Sequence, residues 1–280
     1  MPNITLKQIG AASKYLVVVA AVLVFIGWFL NTPPGLLGKA DAIGYAVCHR
    51  IAERSFHIGS YQLPLCARCL GMYLGAVTGL VFQSIFGWKR GKAPHWSVIT
   101  ILAIFVVAFG IDGANSYLYL LKQIQPGILS QIPNIYIPNN TLRLLTGSGM
   151  GLGIAAMLFP AFNQSVWIDV DDARAALPGW KAFGPLLGIQ IILDILVLTE
   201  SPFVLYPVAI ISVLGVWLLL TLVYAILWVM ITGQENKFKK LRQVWLPLLA
   251  GLTITIIQTA AIDMLRFWLT RTWGGFPLGQ

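Results

Sequence analysis

Charge is scarce in this chain. Asp, Glu, Lys and Arg make up only 10% of its 280 residues, where a soluble domain carries roughly 25%. That shortage excludes an ordinary water-soluble fold, because too little polar surface remains to cover so apolar a chain. Acids are rarer still, ten in all against 19 lysines and arginines. The net charge of +9 does not point to nucleic acid, since the cations fall in short loops and at helix ends, as membrane topology requires. Cysteine and histidine are limited to three each. Three cysteines are too few for a disulfide scaffold, and an odd number leaves one unpaired or gathers all three on a metal. There is no nucleotide-binding loop, no nucleophile elbow and no His-Glu-x-x-His helix, which argues against ATP-driven, hydrolase and metalloprotease chemistry. No internal repeat or low-complexity tract is present.

What the chain has in abundance is apolar length. It is 58% hydrophobic, and lipid is the solvent that makes this composition sensible. Runs of about 20 apolar residues can cross the hydrocarbon core as helices. Such runs lie near 12–31, 69–87, 98–121, 141–161, 182–199, 203–232 and 243–270. The expected fold is therefore an all-α, polytopic transmembrane bundle of about seven spans. The sixth run is long, and Pro207 is a place where it can tilt or break. The first run reads as an uncleaved anchor rather than a signal peptide, because the only nearby small-x-small site, Ala40-Asp41-Ala42, lies ten residues past it.

Lysine placement sets the expected orientation. With the N-terminus cytoplasmic, Lys7, Lys14, Lys89, Lys92, Lys181, Lys237, Lys239 and Lys240 fall inside, and Lys39 and Lys122 outside. Six arginines run against this bias on the outer side: Arg50, Arg54, Arg68, Arg143, Arg266 and Arg271. They are read as belonging to a site. The protein is placed in the inner (cytoplasmic) membrane, with the lipid bilayer as its principal partner. Three regions are expected: an anchor at 1–39, a core at 40–161 and a three-span extension at 162–280.

Small residues mark helix contacts. Gly71, Gly75 and Gly79 share one face of the second span, and Gly147, Gly149, Gly151 and Gly153 stud the fourth. A spacing of four lets transmembrane backbones approach closely. The segment 123–139, rich in Pro, Gln and Ile, is expected along the outer interface.

All three cysteines and two of the three histidines fall within Cys48-His49-Arg50-Ile51-Ala52-Glu53-Arg54-Ser55-Phe56-His57 and Leu63-Pro64-Leu65-Cys66-Ala67-Arg68-Cys69-Leu70-Gly71. Cys66 and Cys69 form a C-x-x-C, whose two thiolates can grip one soft metal from a tight turn. With Cys48 and either His49 or His57 they complete a Cys₃His set of the zinc type. The same spacing serves redox dithiols, and Cys69 at a helix N-terminus beside Arg68 has the setting that lowers a thiol pKa. A zinc or disulfide clip that only pins the loop is the plainer reading.

Three of the ten acids, Asp112, Asp194 and Asp263, lie inside the expected spans. A charge there costs at least ~2.5–3.5 kcal/mol, so each calls for a partner or a purpose. Asn115 shares the face of Asp112, and Asn140 and Arg143 open the fourth span from the same side. The second to fourth spans can thus gather Cys66, Cys69, Asp112, Asn115 and Arg143 near one outer site. The plainer reading is a buried Asp112–Arg143 ion pair that fixes helix register. Asp263 and Arg266 read as a local helix pair, and His95 as solvated surface.

At these residues the chain resembles the prokaryotic membrane-protein family called domain of unknown function 2085. The resemblance rests on Cys48 to Ile51, Arg54 to Phe56, Leu63 to Cys69, Asp112-Gly113, Asn140 with Arg143, and Thr146-Gly147. It covers about residues 40–160. Ala52 stands where the pattern commonly has proline, and the last three spans lie outside it. The resemblance implies a shared site and brings no activity with it.

The expected function is an outer metal or thiol centre, with zinc as the candidate cofactor, beside an Asp/Asn/Arg cluster. There Asp112, Asn115 and Arg143, with Arg50, Arg54 and Arg68, would act on an anionic or lipid substrate. Three alternatives stand: a quinone-linked dithiol oxidoreductase, an ion- or proton-coupled transporter using Asp112 and Asp194, and a structural subunit of a membrane complex.

Overall fold

The structure is a computed structural model that describes residues 6–125, 127, 129 and 131–275, with side chains from residue 14 onward. The side chain of Lys7 therefore lies outside the described residues, as do Pro126, Ile128 and Ser130 of the 123–139 segment. Among the described residues there are eight α-helices: α1 Leu6–Asn31, α2 Gly35–Val47, α3 Ala67–Phe86, α4 Trp96–Ile124, α5 Asn140–Val166, α6 Trp180–Leu198, α7 Pro202–Ile231 and α8 Trp245–Thr270. All but α2 are long and apolar enough to cross a membrane. The chain is thus an all-α polytopic membrane bundle of seven spans.

The seven expected spans match these helices to within a few residues. α7 runs unbroken through Pro207, so of the two alternatives at that residue a break is excluded. Pro207 falls in the second turn of α7, so it removes one early backbone bond and leaves the later ladder whole.

Glycine decides which helices form the centre. α3 and α5 pack so closely that a Cβ on Gly71 would overlap the Leu144 carbonyl, and one on Gly75 the Ser148 carbonyl. From the other side, Gly147 meets the Arg68 carbonyl and Gly151 that of Met72. Each glycine stripe thus lets one backbone rest on the other without side chains between, the means by which helices associate in lipid. Gly149 instead faces Phe105 on α4, where a Cβ would sit 2.8 Å from the ring. α4 leans on α5, α7 on α3, α8 on α7, and α1 on α8. Trp28 ties α1 to α7 through an edge-on contact with Trp217, centroids 4.8 Å apart.

Alternation of the spans puts Lys39 and Lys122 at the end that carries the cysteines, and the remaining described lysines at the other. At that lysine-rich end two short strands, β3 Arg90–Lys92 and β4 Asp171–Ala175, pair in parallel and join the α3–α4 and α5–α6 connections. Lys89 bridges to Asp169 at 2.7 Å. His95 is exposed, as expected, and also caps α4 by accepting the Ser97 N–H at 3.3 Å. At the opposite end, α2 and a small hairpin of β1 His57–Ile58 and β2 Tyr61–Gln62 fold the cysteine loop over the bundle. A Cβ on Gly44 of α2 would overlap the Pro64 carbonyl, so α2 lies directly against that loop.

Candidate thiol centre and arginine network

The loop between α2 and α3 begins where α2 ends. Cys48 is the C-cap of α2 and Cys66 the N-cap of α3, with Cys69 in the first turn of α3. Their sulfur atoms lie within 4.8 Å of one another. Cys48 and Cys66 are buried, and Cys69 is partly so. The three cysteines that cluster in sequence are thus one cluster in space.

Backbone geometry is built around the Cys48 sulfur. Arg50 adopts a left-handed conformation, φ 51°, uncommon outside glycine. That turn brings its own N–H back to Cys48 Sγ at 3.5 Å, and the Cys66 N–H reaches the same sulfur at 3.3 Å. The Cys66 and Cys69 thiols, and then these two N–H groups, hold the Cys48 thiol well below its ordinary value. The Cys66 thiol is pushed up, first by Cys48. A sulfur receiving donors in this way is prepared to be a thiolate, the form that binds metal or attacks a disulfide.

Neither histidine belongs to the sulfur group. His49 stands beside it, its Nε2 buried with no hydrogen-bond partner, and burial lowers its imidazole below the ordinary value. His57 is half-buried in β1, opposite Gln62.

The arginines divide among different partners. Arg50 pairs with Asp41 of α2 at 2.7 Å and donates to the Trp273 carbonyl at 3.1 Å. Arg68, between the two cysteines of the C-x-x-C, donates from Nε to Asp112 Oδ2 at 3.0 Å and pairs with the same oxygen through Nη2. It also reaches Ser116 Oγ at 3.0 Å. Tyr136 donates to Asp112 Oδ1 at 2.6 Å. Burial, and then Asp112, push the Tyr136 phenol up to about 12, so it remains a donor at neutral pH. The expected Asp112–Arg143 pair is therefore corrected: the partner is Arg68, which the first turn of α3 aims at α4. Arg143 bonds Asn140 Oδ1 at 2.8 Å. Arg54 donates to the Ser116 carbonyl at 3.1 Å. Asn115 fastens the segment after α4, giving Nδ2–H to the Tyr136 carbonyl and accepting the Ile135 N–H, both at 2.9 Å.

The other intramembrane acids lie in settings of their own. Asp194 on α6 accepts from Ser148 of α5 at 2.7 Å and from Gln190 at 3.0 Å. Both oxygens of Asp263 are buried without a hydrogen bond. Asp263 and Arg266 act on one another as opposite charges along α8. Arg266 reaches across to the cysteine loop, donating to the carbonyls of Tyr45 and Cys48, the latter at 2.6 Å, and to that of His49 at 3.4 Å. Its guanidinium lies 3.9 Å from the centroid of the Tyr45 ring. Asp41, Ser116, Tyr136 and the carbonyl-binding role of Arg266 carried no signal in the sequence, because each acts through a contact between separate elements that no local spacing reports.

Fold and site together define a multi-pass membrane protein that gathers three cysteines and an arginine-rich shell at one end of its bundle. The chain belongs to the family described as predicted membrane protein (DUF2085), whose pattern matches residues 48–157. It is 31% identical over 111 residues to an uncharacterised protein of Methanothermobacter thermautotrophicus, covering 40% of this chain and 83% of that one. It is 25% identical over 167 residues to an uncharacterised protein of Methanocaldococcus jannaschii, covering 55% and 95% respectively. No solved structure matches the chain.

Proposed function

We propose that this protein holds a zinc-type metal ion on Cys48, Cys66 and Cys69 at the outer face of the cytoplasmic membrane, and that the centre works beside the Arg68–Asp112 network on an anionic or lipid substrate. One observation carries the reading: sulfurs from two separate segments lie within 4.8 Å, and two backbone N–H groups point at one of them. Zinc–sulfur bonds of about 2.3 Å in a tetrahedron set sulfurs roughly 3.8 Å apart, so the set fits with a contraction of about 1 Å. His49 is the candidate fourth ligand, because its buried Nε2 has no other partner and neutral imidazole suits zinc. A bound metal would act as a Lewis acid or lower the pKa of a bound water. The arginines around it suit an anion.

A second reading rests on a different feature. Cys48 and His49 line a groove of about 350 Å³ with Ile262, Leu265 and Leu269 of α8. Apolar walls leading to a thiol are what a quinone-linked dithiol oxidoreductase requires. Metal analysis with thiol titration on detergent-purified protein separates the two. About one equivalent of zinc, lost in Cys48→Ala, Cys66→Ala and Cys69→Ala alike, supports the metal centre. Metal-free protein whose Cys66 and Cys69 cycle between thiol and disulfide with added quinone refutes it in favour of the second.

A further inference from the structure

We propose that the cavity walled by Arg54 and Arg143 is a binding site for a phosphate group. The proposal deepens the reading above by naming the chemistry of its anionic substrate, and it rests on that reading only for calling the ligand a substrate. The cavity holds about 360 Å³ at the outer end of α4 and α5, lined by Glu53, Arg54, Tyr119, Gln123, Pro138 and Arg143 among others.

Two cations face it with no carboxylate in ion-pair contact among the described residues. Arg143 is 6% exposed, and its Nε is buried with no hydrogen-bond partner. Arg54 is half-buried, and the partner of its guanidinium is the neutral carbonyl of Ser116. Neither forms an ion pair among the described residues. The nearest buried carboxylate, Asp112, is already taken by Arg68 and Tyr136. Arg54, Arg68 and Arg143 act on one another as like charges. Buried charges of one sign persist where something neutralises them, and here three guanidiniums share one buried carboxylate.

The shape of the donors selects the anion. Guanidiniums present forked N–H pairs that match phosphate oxygens two at a time. The amino end of α5, a helix of 27 residues, opens beside Pro138 and Arg143 and adds the partial positive charge of its terminus. Glu53 lies on the same wall and is exposed. Its carboxylate opposes anion entry, so the site is tuned by one removable charge.

The phosphate can belong to a lipid headgroup or be free in solution, and two probes distinguish these. Purified protein in neutral detergent is titrated with inorganic phosphate against chloride at matched ionic strength, following thermal unfolding. The same protein in nanodiscs of phosphatidylcholine, with or without phosphatidylglycerol, is assayed for retained lipid by native mass spectrometry. Wild type should show saturable binding of at least one probe. The Arg54→Gln/Arg143→Gln variant should bind that probe at least about tenfold more weakly, as expected for loss of charge-assisted bonds. Glu53→Gln should bind it more tightly. Phosphate binding assigns a free anion, and retention of phosphatidylglycerol alone assigns a headgroup. Equal binding by wild type and double variant with both probes overturns the proposal. If the double variant does not fold, Glu53→Gln decides, and an unchanged affinity overturns it. Metal content of the same samples reports on the thiolate centre separately, so a metal-free protein that still binds phosphate at Arg54 and Arg143 refutes that centre and keeps this site.

Discussion

Arg266→Met should loosen the cysteine loop without removing a single sulfur. In the folded protein Arg266 fills the carbonyls of Tyr45, Cys48 and His49 and lies against the Tyr45 ring. A hydrogen bond to a charged donor contributes about 1.5–3 kcal/mol, and a cation over an aromatic ring adds about 0.5–2 kcal/mol. Methionine replaces the packing and none of the donors, so carbonyls on both sides of Cys48 lose their partner in a buried place. Allowing for relaxation and water, the loop should open with about 3 kcal/mol less resistance, which is roughly a hundredfold in an opening equilibrium. The assay is maleimide labelling of chelator-treated protein in detergent, with Cys48 read by peptide mass spectrometry. When labelling waits on opening, Cys48 should react about a hundredfold faster in the variant. Arg271→Met, at an exposed position just beyond α8, should leave the rate unchanged. A Cys48 rate within about threefold of wild type would refute the claim that α8 holds the loop.

Two further outcomes follow from the geometry. Asp112→Asn strands the Arg68 guanidinium and should cost about 3–5 kcal/mol in unfolding by SDS titration, whereas Tyr136→Phe should cost about 1 kcal/mol; equal effects would contradict the assigned pairing. Gly151→Leu drives a side chain into the Met72 carbonyl and should abolish monodisperse protein in size-exclusion chromatography. Gly110→Ala, with no atom within 4 Å of the added carbon, should run as wild type.

The membrane architecture was legible because hydrocarbon imposes one rule on every span, a run of about 20 apolar residues. Polar residues and proline then mark the ends. α2 leaves no mark in the sequence because its 13 residues are too short to span and too rich in glycine to read as a helix. The strands at the two ends of the bundle are two to five residues each, below the length at which alternation carries information. Cysteine clustering was legible since it is local in sequence, and the structure gathers the same three residues. The pairing of Asp112 was not. Counting residues places Arg68 and Arg143 at similar depth, and only the direction of the first turn of α3 decides between them. Arg266 lies beyond the family match that ends at residue 157. Its bonds to the loop span more than two hundred residues of chain, a separation that no local pattern reports.

That separation also orders the events of synthesis. Cys48, Cys66 and Cys69 leave the ribosome early, while the helix whose arginine closes over them follows much later. At roughly 5–20 residues per second, the roughly 200 residues between Cys69 and Arg266 take on the order of 10–40 s to make. Through that interval the nascent thiols lack the cover that Arg266 later supplies. Whatever the centre is to hold has its widest access then, and oxidation of the C-x-x-C competes for the same moment. Insertion of α8 ends both.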